Sequence, residues 1–370
     1  MIEVRQAMSQ MLAAVLEGPR RLTVRDVPMP VPGPGEVICE VAACGICGSD
    51  LRYLAGENPW AKHTLGYEKP NPPNMILGHE VGGTVSLEGS TVRAGLLAFR
   101  TCGHCRECLR GLSQLCTRTE HLGHGAGWED REFNPGGMAQ YMPVWRANVY
   151  ELPESVSFEQ ATFLDGLGVA IHAVRRAGVR SGDRVTVLGA GPIGMLIAQA
   201  ARTWGADRVV TTDVYDAALE CAGGLGLDAA VDGRGAAPDE VVGELVEAAG
   251  GAFDAIFDST TLFRSDSTGA LAMQQAALRH LAPGGMLMLM AGAAEGLRLE
   301  TACLAGERTV TTSSNNLPED FARGLELIAS REIVVEPMIT HSFALADAVK
   351  AFEVAANKHE TGAIKVIIRP

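Results

Sequence analysis

From residue 11 the chain alternates apolar and polar positions in short runs. LTVRDVPMPVPGPGEVICEVAAC is punctuated by Pro30, Pro32, Gly33, Pro34 and Gly35. Period-two alternation bounded by turn formers predicts short β-strands. Residues 51–78 break the pattern with Pro, Gly and Asn, and predict a long surface loop of the kind that often carries function. GMAQYMPV and ANVYEL return to the strand pattern. Near residue 160 the period lengthens: FEQATFLDGLGVAIHAVRRAGV places apolar residues at helical spacing. A strand–turn–helix–strand follows in DRVTVLGAGPIGMLIAQAARTWGADRVVTTDV, then DEVVGELVEAAGG with FDAIFDST, and MQQAALRHLAPGG with MLMLMAG. Strands and helices alternating at this length predict an α/β, doubly wound parallel sheet of Rossmann type. After about residue 315 a helix, PEDFARGLELIAS, leads back to the strand-like MITHSFAL and AIKVIIR.

At 370 residues the chain has room for two ordinary domains. Apolar residues at 47% and charged residues at 20% are the balance of a globular protein. The net charge of −13 comes without a basic stripe, which argues against nucleic-acid binding. No 18-residue apolar run predicts a membrane span. The first residues lack the apolar core of a secretory signal, so a cytoplasmic protein is expected. In that reducing setting, nine cysteines point to metal ligation rather than disulfides.

Two local motifs carry chemistry. Gly189, Gly191, Pro192, Ile193 and Gly194 belong to G-A-G-P-I-G, set between the apolar strand RVTVL and a helix. The first glycine permits the tight turn, the second lets backbone approach a pyrophosphate, and the third allows close helix–strand packing. Pro192 suits a first helical turn, and the helix N-terminus favours the phosphates. Asp213 ends the next strand, where a carboxylate accepts from ribose hydroxyls and repels a 2′-phosphate. No basic residue follows it closely, so NAD(H) is preferred to NADP(H). Cys102, Cys105, Cys108 and Cys116 follow C-x2-C-x2-C-x7-C. Four thiolates so spaced can close around one tetrahedral Zn²⁺ with no open position, which makes the site structural.

A G-I-C-G-S-D segment at 45–50, a G-H-E segment at 78–80, the four-cysteine lobe and the glycine-rich βαβ unit occur in that order. Together they resemble the zinc-containing medium-chain dehydrogenase/reductase (alcohol dehydrogenase) family. Within it the chain is most similar to the sorbitol, threonine and glucose dehydrogenase-like branches. The resemblance implies a GroES-like β-barrel catalytic domain over 1–160, a Rossmann domain over 161–315 and a C-terminal return to the catalytic domain over 316–370. It also implies a homodimer or homotetramer joined partly through Rossmann sheet edges, with residues 284–292 as the expected edge strand.

By the same resemblance Cys47 and His79 are the first two ligands of a catalytic zinc, making two zinc ions per chain. The third ligand is Asp165, which stands where many relatives have Cys, or Glu80, which could also act from behind the ligands. Ser49 matches the first hydroxyl of a proton relay, and Asp50 is expected to orient ligands. Arg52 stands where a relay His is often found. Arginine does not carry protons in the ordinary pH range, so the relay would pass to solvent, Glu80 or His63, or Arg52 would meet cofactor phosphate. Lys365 matches a position where a basic residue meets the pyrophosphate. The interval between Cys47 and His79 is long; its extra residues, with Trp60, His63 and Tyr67, are expected to border the substrate. Asn315 and Asn316 are expected near the nicotinamide. Cys39, Cys44, Cys221, Cys303 and His172 read as packing residues. The expected activity is reversible hydride transfer between a secondary alcohol, polyol or sugar-type hydroxyl and the dinucleotide. A carbonyl reductase working mainly in reverse and a non-catalytic NAD-binding redox sensor are the competing readings.

Overall fold

The structure is a computed structural model describing residues 9–126, 131–260, 268–290, 299 and 301–370. The chain divides into two compact units. One comprises Met1–Asp165, Leu317–Ala329 and Ile339–Pro370, the other Gly166–Asn316 and Ser330–Met338.

The first unit is built on antiparallel sheets. Gln10–Gly18 pairs with Arg21–Pro28 and Met75–Ile76. The larger sheet runs Val149–Glu151, Ser90–Leu96, Glu80–Leu87, Glu36–Gly45, Lys365–Arg369 and Ile339–Ala344, with Tyr141–Trp145 also pairing Glu36–Gly45. Alternation explains the strands: in Glu36–Gly45 the side chains of Cys39 and Val41, and of Cys44 after a register shift between Val41 and Ala43, turn inward to a core shared with Val81, Val85, Leu96 and Met142. Lys365–Arg369 returns from the far end of the sequence and pairs with Cys44 and Gly45. Gly45 is opposite Glu80 in the register, so the C-terminal strand delivers Lys365 to Glu80. The STVRAGL segment forms a strand antiparallel to Glu80–Leu87. Phe99–Arg100 and Glu120–His121 then pair across the base of the cysteine lobe.

The expected loop over 51–78 begins later than the composition predicts. Residues Gly48–Ala55 are helical. The Cys47 N–H is capped by the Asp50 carboxylate, and Gly56 ends the helix at φ +96°. Such local capping, not apolar periodicity, fixes this helix. Ala61–Leu65 adds a single wide turn, started by Asn58, whose Oδ1 accepts from the Ala61 N–H.

The second unit is a six-stranded parallel sheet. Its order is Ala229–Asp232, Arg208–Asp213, Arg184–Leu188, Phe253–Asp258, Leu281–Leu289, Thr309–Thr312. This is the 3-2-1-4-5-6 order of a doubly wound dinucleotide fold. Apolar residues such as Val185, Val187, Val210, Ile256 and Leu287 are buried as a parallel sheet requires. The sheet edge corrects the expectation placed on residues 284–292. Thr309–Thr312 pairs with Met286–Leu289 and takes the edge among the described residues, while 291 and 292 lie outside them. A four-residue strand of Thr, Val, Thr and Thr lacks the apolar run that marks an interior strand, so pattern alone passes it over. No helix among the described residues is long and apolar enough to cross a membrane.

Candidate functional site

The glycine turn sits at the carboxyl end of strand Arg184–Leu188. Gly189 has φ +95°, a conformation that penalises any side chain. A Cβ on Gly194 would stand 1.9 Å from the Gly189 carbonyl oxygen, so this glycine lets helix Pro192–Thr203 press on the turn. Gly191 caps that helix and Pro192 opens it. Asp213 does more than the motif suggests. Its Oδ2 accepts from the Ala190 N–H at 2.7 Å, and its Oδ1 accepts from the N–H groups of Val214 and Tyr215 at 2.7 and 3.1 Å. The carboxylate therefore braces the turn. Asn316, expected near the nicotinamide, is buried against Gly168, and Asn315 has φ +57°.

The four lobe cysteines converge. Their sulfur atoms all lie within 4.8 Å of one another. Cys102 and Cys116 are 3.6 Å apart, and Cys105 and Cys116 are 3.9 Å apart. Sulfurs on a tetrahedral zinc, each at ~2.3 Å from the ion, are separated by ~3.8 Å, so the donor set fits that ion. The Cys105 N–H points at Cys102 Sγ at 3.3 Å and the Cys102 N–H at Cys116 Sγ at 3.4 Å. Backbone donors of this kind favour thiolates. The Cys102 thiol is pulled down to about 6, chiefly by the backbone N–H of His104.

A second group gathers Cys47, His79 and Glu80, again with one donor atom each within 4.8 Å. Cys47 caps helix Gly48–Ala55, and His79 and Glu80 enter strand Glu80–Leu87. Asp50, fully buried, ties the two pieces together. Its Oδ2 accepts from the Cys47 N–H at 2.8 Å, and its Oδ1 accepts from the Gly78 N–H at 3.2 Å. The same Oδ1 lies 3.8 Å from His79 Nδ1. Burial pushes the Asp50 carboxyl up to about 6. Burial alone would pull His79 down, but Cys47 and Asp50 together hold it up at about 10. The group thus combines a thiol, an imidazole and a carboxylate, the mixture of soft and borderline donors that suits a zinc ion. Asp165, the other carboxylate expected here, falls outside the converging group, though its charge acts on His79.

Lys365 is buried beside Glu80, and its Nζ pairs with Glu80 Oε2. The ring of Phe163 lies 5.2 Å from the same nitrogen. A Cβ on Gly45 would meet both partners, at 2.5 Å from Glu80 Oε2 and 2.7 Å from Lys365 Cε, so glycine there makes room for the pair. The residue expected at a cofactor pyrophosphate is instead held by Glu80 in this structure. Arg52 is likewise engaged, with Glu57 at 2.8 Å.

Two histidines that sequence reasoning missed complete the site. His121 and His124 follow the cysteine lobe in E-H-L-G-H-G. Their rings stack 3.8 Å apart at 11°. The His124 ring meets the His79 ring at 4.3 Å, and His124 Nε2 lies 3.5 Å from Ser49 Oγ. Burial holds His121 down at about 3 and His124 well below the ordinary histidine range. Gly123, at φ +65°, makes this approach possible: a Cβ there would lie 2.2 Å from the Gly78 carbonyl oxygen. The only sequence signal was a pair of histidines three apart in a glycine turn. Trp60 is half-buried and Tyr67 exposed; the His63 side chain lies outside the described residues. Cys39, Cys44, Cys221 and His172 are buried, and Cys303 is half-buried.

Comparison with known proteins bears on this arrangement. Residues 33–154 match the alcohol dehydrogenase GroES-like domain, and residues 192–330 match the zinc-binding dehydrogenase domain. The sorbitol dehydrogenase of Macaca fascicularis is 30% identical over 346 residues, covering 92% of each chain. The chain belongs to the zinc-containing medium-chain alcohol dehydrogenase family. The D-xylulose reductase of Saccharomyces cerevisiae is 30% identical over 362 residues, covering 96% of this chain and 97% of that one. Among solved structures, a zinc-binding dehydrogenase from Sinorhizobium meliloti 1021 bound to NADP superposes with a TM-score of 0.84 at 28% identity. It spans 98% of this chain and 100% of its own. An alcohol dehydrogenase from Escherichia coli CFT073 complexed with NADH gives a TM-score of 0.82 at 25% identity, with the same coverage. The GroES-like and Rossmann expectations therefore hold, as do oxidoreductase activity on alcohols or polyols and the use of zinc and a nicotinamide cofactor.

Proposed function

We propose that this chain is a zinc-dependent dehydrogenase that prefers NAD(H) and reversibly oxidises a secondary alcohol, polyol or sugar-type hydroxyl to the carbonyl. The observation that carries the reading is the convergence of Cys47, His79 and Glu80 beside Ser49. Zinc held by Cys47, His79 and one carboxylate would supply Lewis acidity to the substrate oxygen, and the nicotinamide would accept the hydride. Asp50 lies 3.8 Å from His79 Nδ1, where its charge acts on the ring, and it fixes the backbone that carries Cys47. Ser49 Oγ would accept the hydroxyl proton while passing its own on to ribose hydroxyl and solvent, since Arg52 is charged and paired to Glu57. Of the two carboxylates Glu80, which converges with Cys47 and His79, would be the one to hold the ion, and Lys365 balances its charge. The cysteine lobe holds a second, structural zinc. Gly189, Gly191, Pro192, Ile193 and Gly194 take the pyrophosphate and Asp213 the adenosine ribose. Arg234 is tied to Asp216 and Asp232, which leaves no free cation beside Asp213 among the described residues for a 2′-phosphate. The relatives' names support a polyol-like substrate. The working form is a cytoplasmic homodimer or homotetramer.

The test is reduction of NAD⁺ and NADP⁺ against polyols, aldoses and secondary alcohols, with zinc measured on the same preparations. Two zinc ions per chain and faster turnover with NAD⁺ are expected. One zinc per chain with no turnover would overturn the reading. Glu80→Gln and Asp165→Asn then separate the carboxylates: the variant that loses the catalytic ion identifies the third ligand.

A further inference from the structure

His124 lies outside every motif that identifies the family, yet it packs on both His79 and Ser49. Its Nε2 faces Ser49 Oγ at 3.5 Å, while its Nδ1 is buried without a hydrogen-bond partner among the described residues. Buried polar atoms are nearly always paired, and an orphan marks a place for water or a ligand group. This orphan has company. Asn58 Nδ2 and Trp60 Nε1 are also buried without hydrogen-bond partners among the described residues. Tyr53 stands 5.1 Å from the His124 ring, and a Cβ on Gly125 would meet Asn58 Nδ2 at 2.7 Å. The unsatisfied atoms thus lie at 58–60 and at the histidine turn, whose Gly125 approaches Asn58 and whose His124 lies by Tyr53.

The chemistry of the ring selects the ligand group. A neutral imidazole has one donor and one acceptor nitrogen. If Nε2 accepts from Ser49, Nδ1 is a donor; if Nε2 donates, Nδ1 is an acceptor. A hydroxyl satisfies either tautomer, because it both donates and accepts. A carboxylate or carbonyl satisfies only one. His121 steadies the ring: its own Nδ1 lies 3.0 Å from the Leu122 carbonyl oxygen, and the two imidazoles stack. A substrate oxygen addressed by His79 and Ser49 lies next to the ring that touches both. The next oxygen along the carbon chain is then the one His124 meets.

We propose that His124 is a specificity-determining residue, binding the hydroxyl on the carbon next to the one oxidised, an inference that rests on the dehydrogenase reading above. The experiment compares 2,3-butanediol with 2-butanol as substrates of the zinc-loaded enzyme, in wild type, His124→Phe and His124→Asn. Phenylalanine keeps the stack on His121 but offers no polar atom, and asparagine keeps a donor and an acceptor. The diol-to-monoalcohol ratio of kcat/KM should fall about three- to tenfold in His124→Phe, the worth of one neutral hydrogen bond. His124→Asn should keep part of it. An unchanged ratio in His124→Phe overturns the inference. Calorimetry of 2,3-butanediol binding to the same zinc-loaded proteins with NADH present separates the two proposals. No turnover in wild type, with diol binding weakened in His124→Phe, defeats the dehydrogenase reading and leaves the subsite standing. Equal diol binding by wild type and His124→Phe defeats the subsite whatever the turnover.

Discussion

Replacing Asp50 by Asn removes a charge at the centre of the metal group while keeping the side chain's shape. Asp50 receives two backbone N–H groups, from Cys47 at 2.8 Å and Gly78 at 3.2 Å. An amide accepts through its oxygen alone. Its NH₂ must therefore face one of those N–H groups, leaving a buried donor unmatched. That mismatch costs about 1–3 kcal/mol, and the loss of charge assistance in the surviving bond raises the total to the order of 3 kcal/mol. The damage falls on the two pieces of backbone that present Cys47 and His79. His79 also loses the carboxylate 3.8 Å from its Nδ1. Removing such a partner from behind a metal-ligating histidine typically weakens metal binding by about 10–100-fold. Zinc affinity is measured by competition with a chromophoric chelator, following the weaker of the two ions, and stability by urea unfolding at fixed free zinc. Asp50→Asn should show a lower urea midpoint and a weaker catalytic ion, with the lobe ion unchanged. A variant with wild-type midpoint and wild-type affinity for both ions would refute the claim that this carboxylate holds the ligands in place.

Three further outcomes follow from the geometry. Gly194→Ala puts a methyl 1.9 Å from the Gly189 carbonyl oxygen and should weaken NADH binding, read by fluorescence titration, by at least about tenfold with zinc content unchanged; an unaltered Kd would count against the turn as the pyrophosphate site. Cys108→Ser should lower zinc from two ions per chain to one and reduce thermal stability, because a closed thiolate site contributes its binding energy to folding; retention of both ions would show that the lobe does not need its fourth sulfur. Burial raises the Asp258 carboxyl above its ordinary value although Thr260 and Gln274 donate to it. A raised folded-state pKa favours the native state below the unfolded value of about 3.9 and loses that benefit as pH rises through the folded value. The stability of wild type relative to Asp258→Asn should therefore fall with rising pH across that window, and a difference that is flat from pH 3.5 to 7 would refute the shift.

What the sequence determined by itself was chiefly the motifs whose donor types and spacing are set within a few residues of chain. The four lobe cysteines span 15 residues, and the glycine turn lies within six; short loops leave little freedom to bring such groups together otherwise. The doubly wound sheet was legible for a related reason, since buried parallel strands need long apolar runs and helices need the 3.6 period. Thr309–Thr312 escaped because a short, half-buried edge strand needs neither. Helix Gly48–Ala55 escaped because its ends are set by Asp50 and Gly56, not by apolar periodicity. The tertiary structure decided the rest. Glu80 and Lys365 are 285 positions apart and meet only because the last strand pairs beside Gly45. His124 reaches Ser49 across 75 positions, through a turn whose Gly123 lies against Gly78. Metal ligands carry a motif because their donor types and spacing are chemically constrained. The groups that balance, position and flank them are constrained only in space, and in this chain they arrive on strands and turns that no local pattern connects.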